Sequence, residues 1–106
     1  KISNWHEIKK QIIEDLIEIG VHALNCQVAC MGVEELGRRF AGRLCFWGEL
    51  DRQHLLPMGT PEEILAAARK NLAHLSTPDG GYIMQAEINA DVPPENLEAV
   101  FRAYQL

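Results

Sequence analysis

An α/β fold with a parallel sheet is predicted by three observations. Apolar residues recur at helical spacing in four blocks, short apolar runs lie between the blocks, and the blocks begin near residues 5, 33, 61 and 95, about 28, 28 and 34 residues apart. Each interval is the length of a βα unit. Alternation on that scale implies parallel neighbours joined by right-handed crossovers, because parallel strands need a helix-length connection.

The first block places Trp5, Ile8, Ile12, Ile13, Leu16, Ile17 and Ile19 on one side, with Glu7, Lys9, Lys10, Glu14, Asp15 and Glu18 opposite. This is an amphipathic helix, capped by Ser3 or Asn4 and ended at Gly20. Residues 23–27, Ala-Leu-Asn-Cys-Gln, are too short for a helix and read as a buried strand. A second helix is expected from about Val33 to Phe40, ended at Gly42, and a second strand over Arg43–Trp47. A loop rich in Gly, Pro and His leads to Thr60-Pro61-Glu62-Glu63, where a threonine cap, a proline at the first helical position and a glutamate three residues after the cap form a capping box. That helix should reach Leu75. Residues 76–81 are a turn by composition, Tyr82–Gln85 a third strand, and a last helix starts at Pro94-Glu95-Asn96 with Leu97, Val100, Phe101 and Tyr104 on its apolar face.

Ten Lys and Arg stand against 15 Asp and Glu, a net charge of -5, and only three of those basic residues follow Gln53. A nucleic-acid or anionic-membrane partner normally requires a basic patch, so neither is expected. Three cysteines cannot all pair, and no secretory signal opens the chain, so a cytoplasmic location is expected. No run approaches the ~18 apolar residues that span a bilayer. The start at Lys1 suggests a piece of a longer chain, and residues 1–106 are taken as a single segment.

In parallel α/β proteins ligands bind beyond the C-terminal ends of the strands. That rule selects Asn25 and Gln27 after the first strand, Gly48, Glu49, Asp51, Arg52, Gln53 and His54 after the second, and Gln85, Glu87 and Asn89 after the third. Glu49, Asp51, Arg52 and His54 follow directly on an apolar strand, and acids, a guanidinium and an imidazole so placed can hold a polar substrate or exchange protons with it. The competing structural reading pairs Asp51 with Arg52 to stiffen the loop and leaves His54 solvated. Asn25, Gln27, Glu49, Asp51, Arg52, Gln85 and Glu87 are the candidate substrate-binding residues, with no catalytic residue assigned and no metal site expected. Cys26 and Cys30 lack a second ligand pair at zinc spacing and read as buried structural cysteines, and His6, His22 and His74 as structural histidines. Gly80-Gly81 precedes a strand, where a phosphate-cradling loop would follow one.

Residues 46–63, with Trp47-Gly48-Glu49-Leu50-Asp51-Arg52-Gln53-His54 at their centre, resemble the uroporphyrinogen decarboxylase superfamily, which also contains cobalamin-dependent methyltransferases acting on thiols. Residues 15–21, 23–25, 34–40, 80–83 and 91–96 fit the same resemblance in order. It implies that the chain is the C-terminal three βα units of a (β/α)8 TIM barrel, with parallel strands and helices outside, and that the strand-end residues line a cleft. It further implies an enzyme that decarboxylates tetrapyrrole acetate side chains without a cofactor, its catalytic aspartate and arginines lying before Lys1. The implied partner is a small tetrapyrrole or corrinoid-linked substrate. Two departures stand out. The loop Gln85-Ala86-Glu87 lacks the histidine of the decarboxylases, and Ala86 stands where zinc methyltransferases carry a cysteine. The alternative activity is zinc-dependent methyl transfer between a corrinoid and a thiol, with Glu87 replacing that cysteine. A third expectation is that three strands alone cannot close a barrel, so helices cover one sheet face, the other face and both edges stay open, and the isolated chain is non-catalytic and forms homo-oligomers.

Overall fold

The computed structural model describes residues 5–26 and 28–106. Its elements are α1 (Trp5–Glu18), β1 (Ala23–Cys26), α2 (Val28–Met31), α3 (Val33–Phe40), β2 (Cys45–Glu49), α4 (Leu55–Met58), α5 (Pro61–Leu75), β3 (Tyr82–Gln85) and α6 (Pro94–Ala103). The three strands form one parallel sheet in the order β1-β2-β3, with Asn25 opposite Trp47 and Trp47 opposite Ile83. Among the described residues no helix is long and apolar enough to cross a membrane.

The two faces of the sheet differ. Phe46 and Gly48 are buried, and Leu24, Cys26, Tyr82 and Met84 pack beside them on the helical layer. On the opposite face Trp47 and Ile83 are 44% and 47% exposed, and Ala23 and Asn25 are also exposed. The result is a slab 42 × 36 × 19 Å, two layers deep, with β1 and β3 as unpaired edges.

Two apolar clusters hold the layers together. Ile13, Val28, Val33, Leu36, Phe40, Leu44, Phe46 and Leu75 fill the space between the sheet and α1 to α3. Leu50, Leu56, Ile64, Leu65, Ala68, Ala99, Val100 and Ala103 fill the space under the strand-end loops. Helix α5 belongs to both clusters and so ties the two ends of the slab together. Tyr82 adds a polar tie, its hydroxyl accepting from Asn71 Nδ2 at 3.0 Å and donating to the Gly48 carbonyl at 3.2 Å. Burial pushes this phenol up from its ordinary pKa.

Several elements depart from the sequence expectation. Strand β2 starts at Cys45 and ends at Glu49, two residues later than expected. Arg43 is instead drawn to α1 and α3, its guanidinium donating to Glu14 Oε1 at 2.7 Å and to the Arg39 carbonyl at 3.2 Å. Gly48 hides the strand's true end from a pattern of side chains. It is required there because a Cβ would lie 2.7 and 2.8 Å from the methyl groups of Val28. The short helices α2 and α4 were not expected; Pro57 sits within the first turn of α4, where the missing N–H has no helical partner to lose. Strand β1 is an edge strand whose residues alternate between exposed and half-buried, not a buried strand. Cys26 is half-buried, with burial pushing its thiol to a pKa of about 11, and the side chain of Cys30 lies outside those described. His22 and His74 are solvent-exposed, and the side chain of His6 is likewise outside the description.

The helix faces are also rotated from expectation. In α1 Ile13 and Lys10 are buried while Ile12 is exposed, as is Ile19 just past the helix end. Lys10 Nζ reaches Glu35 Oε2 at 2.5 Å, so its buried stem ends in an ion pair with α3. In α6 the inner face is Asn96, Ala99, Val100 and Ala103, whereas Phe101 and Tyr104 are exposed.

Three carboxylates tie the helical layer to cations: Glu35 to Lys10, Glu14 to Arg43 and Glu34 to Lys70. Hydrogen bonds to these cations hold all three below the usual value of 4.5. Folded values below the unfolded ones mean stabilisation that is complete above the unfolded value and lost as pH falls through the folded values. Thermal unfolding midpoints are therefore expected to stay level from neutrality to about pH 5 and drop below it. A Glu35→Gln variant should show a shallower acid decline in the same titration.

Candidate functional site

The C-terminal ends of the three strands point to one side of the slab, as parallel pairing requires. Asn25 lies on β1, Glu49 and Gln85 are the register-paired last residues of β2 and β3, and Asp51, Arg52 and Glu87 lie in the following loops. Leu50 N donates to the Gln85 carbonyl at 3.0 Å, which carries the sheet pairing one residue past the strand ends. Gln27 lies outside the described residues.

Arg52 connects two strand ends. Its Nη1 donates to Glu87 Oε2, and its Nε lies 3.9 Å from Glu49 Oε1. The side chains of Glu49, Arg52 and Glu87 are 12%, 36% and 46% exposed, so the guanidinium bridges a largely sheltered carboxylate and an open one. The Glu87 hydrogen bond, with the charges of Glu87 and Glu49, raises the pKa of Arg52 further. The Asp51–Arg52 pair of the competing structural reading does not form. Asp51 Oδ1 instead accepts from the backbone N–H groups of Gln53 at 2.9 Å and His54 at 3.3 Å, and Oδ2 lies 3.4 Å from His54 Nδ1. Burial opposes the charge on Asp51, but these backbone donors and the His54 ring outweigh it and hold the carboxyl below its ordinary value. Asp51 thus shapes the turn into α4, and the exposed His54 occupies the N-cap position of that helix without a side-chain cap bond. Asn25 Nδ2 donates to Gln85 Oε1 at 3.5 Å, a long hydrogen bond that links β1 to β3 across β2.

The structure therefore gathers Glu49, Arg52 and Glu87 into one network and Asn25 and Gln85 into a second. It assigns Asp51 to the loop itself. Sequence reasoning missed Asn96, whose buried Nδ2 donates to the carbonyls of Leu56 and Gly59 at 2.9 and 2.8 Å and ties α4, which follows the loop carrying Asp51 and Arg52, to α6. An apolar groove lies elsewhere, between α1 and the β1 edge, lined by Ile12, Leu16, Leu24, Cys26 and Met31. It lies on the helical side of the sheet, reaches the end of β1 at Cys26, and is on the opposite face from Trp47 and Asn25.

The family model for uroporphyrinogen decarboxylase (URO-D) matches residues 5–105. The chain belongs to the uroporphyrinogen decarboxylase family. No curated protein and no solved structure matches it. Family membership and the parallel sheet with its helices on one face agree: these are βα units of the kind that build a (β/α)8 barrel.

Among the described residues no three His, Cys, Asp or Glu side chains converge as metal ligands. Glu87, the residue that would have to replace a zinc-binding cysteine, is engaged by Arg52.

Proposed function

We propose that this URO-D family chain forms one wall of the cleft of a cofactor-independent decarboxylase acting on acetate side chains of a tetrapyrrole. In that reaction the bond between the acetate methylene and its carboxylate breaks, carbon dioxide leaves, and a proton takes its place to leave a methyl group. The observation that carries the reading is a juxtaposition. The open apolar patch of Trp47 and Ile83 adjoins the amides of Asn25 and Gln85 and the Glu49–Arg52–Glu87 network. A macrocycle of four methylene-linked pyrroles, with apolar ring faces, N–H donors inside and carboxylates at its rim, matches apolar surface, acceptors and a cation in that order. These residues bind and orient, and none of them is assigned the proton transfer.

Incubated anaerobically with uroporphyrinogen, the protein carrying this segment is expected to yield products with successively fewer carboxylates, separable by chromatography after oxidation. Recovery of unchanged octacarboxylate would overturn the reading. The open sheet face and unpaired edges also support association of the isolated chain with further copies of itself. Light scattering is expected to report a dimer or larger, and a stable monodisperse monomer would contradict this.

A further inference from the structure

Between the strand ends and the helices that follow them, the sequence carries one arginine and no lysine, so Arg52 is the cation available to an anionic ligand there. Its guanidinium already holds a carboxylate, that of Glu87. We propose that Glu87 is an internal stand-in for a ligand carboxylate, occupying the fork of Arg52 until a substrate acetate displaces it. This rests on the tetrapyrrole reading for the identity of the ligand, but not for the exchange itself.

The two acidic partners of Arg52 are unequal in the way such an exchange requires. Glu49 is fixed at the end of β2, is 12% exposed and faces the Nε edge of the guanidinium. It orients the side chain and stays in place. Glu87 belongs to the stretch between β3 and α6, which contains no helix or strand, and is 46% exposed. Ion pairs this open are weak, because water screens them and two long side chains must be ordered to form them. A ligand carboxylate can accept the Nη1 hydrogen bond that Glu87 Oε2 now accepts and place its second oxygen on the planar guanidinium as well, so the swap keeps the hydrogen bond of Arg52. It also releases the loop bearing Glu87 from the loop bearing Arg52, since Glu87 is the contact that joins them through this guanidinium. Selectivity follows from the same geometry: an ester or amide in place of the carboxylate cannot compete with Glu87.

The test uses three probes on the full chain: coproporphyrin with four free carboxylates, its tetramethyl ester, and the small tricarboxylate tricarballylate. Porphyrin binding is read by fluorescence, and tricarballylate binding by isothermal titration calorimetry. Glu87→Gln removes the competitor and is expected to tighten both carboxylate probes about two- to fivefold, while the ester is unaffected. Arg52→Gln is expected to weaken both by tenfold or more. Asp91→Asn removes a charge from the same loop without freeing Arg52, and should leave affinity within twofold of the unmodified chain. Coproporphyrin failing to bind while tricarballylate behaves as described would remove the tetrapyrrole reading and leave the exchange standing. Equal tightening by Asp91→Asn and Glu87→Gln would reduce the effect to net charge and overturn the proposal. So would weaker binding in Glu87→Gln, or no effect of Glu87→Gln on tricarballylate.

Discussion

Replacing Gly37 with alanine is expected to lower the unfolding free energy by about 3 kcal/mol, at the upper end of the usual range for overpacking. Gly37 is buried in α3 where it crosses α5, and a Cβ built there would lie 2.0 Å from the His74 carbonyl oxygen and 2.7 Å from its carbon. Those are backbone atoms within a fifteen-residue helix, so no rotamer change relieves the contact. The helices must separate, and Leu36, Phe40 and Leu75, all fully buried at the same interface, lose packing together. Alanine's better helix propensity returns about 1 kcal/mol, which does not offset the loss. Urea unfolding followed by circular dichroism checks this, with a lowered midpoint at unchanged slope as the expected result. Ala66→Gly, at an exposed position on α5, gives the propensity effect alone. A midpoint for Gly37→Ala at or above that of the unmodified chain would show that α3 and α5 part without loss.

Gly37 and Gly48 also illustrate why part of the fold could not be read from the sequence. Local signals were legible where one segment contains its own partners. The Thr60 hydroxyl accepts from Glu63 N at 3.2 Å and Glu63 Oε1 accepts from Thr60 N at 3.0 Å, so the capping box closes within four residues. Tyr82–Gln85 likewise forms β3 with the expected bounds. A glycine inside a strand carries no hydrophobic signal, and the reason for Gly48 is the side chain of Val28, twenty positions away in sequence. Helix faces fail for a related reason. Periodicity in α1 fixes a stripe but not which edge of it meets α3, and the ion pair between Lys10 and Glu35 draws a charged residue into the buried side. At the strand ends the candidate residues were legible by the rule of parallel sheets. Their pairing was not, because the partner of Arg52 lies 35 residues on, in the loop after β3, and competes with the nearer Asp51. Asp51 is lost to that contest because the backbone N–H groups of Gln53 and His54 reach it first, a turn geometry that favours aspartate locally.

Asn96→Asp is expected to destabilise the protein by about 3 kcal/mol or more near neutrality, the scale of an uncompensated buried charge. Asn96 is 1% exposed, and its Nδ2 donates to two carbonyl oxygens, those of Leu56 and Gly59, while Oδ1 has no hydrogen-bond partner. Aspartate would set an oxygen against both carbonyls and place its charge beside Leu56 in the second apolar cluster. The position lies in the first turn of α6, where the helix dipole favours an anion by roughly 0.3–1 kcal/mol, less than the repulsion and desolvation it faces. Those terms raise the folded pKa of the new carboxyl above its unfolded value near ~3.9. A raised folded pKa means that the deficit relative to the unmodified chain is smallest below that value and widens as pH increases toward the folded pKa. This trend runs opposite to the acid loss expected from Glu14, Glu34 and Glu35, so paired melts at several pH values separate the two. The protonated acid can donate to one carbonyl only, so a residual deficit should persist in acid. The loop carrying Arg52 leads into α4, which is held by the same two bonds, and a shift of the Arg52 Nε–H resonance should accompany the loss of stability. A constant deficit from pH 4 to pH 8 would mean that the carboxylate escapes to solvent and that Asn96 does not clamp α4 to α6.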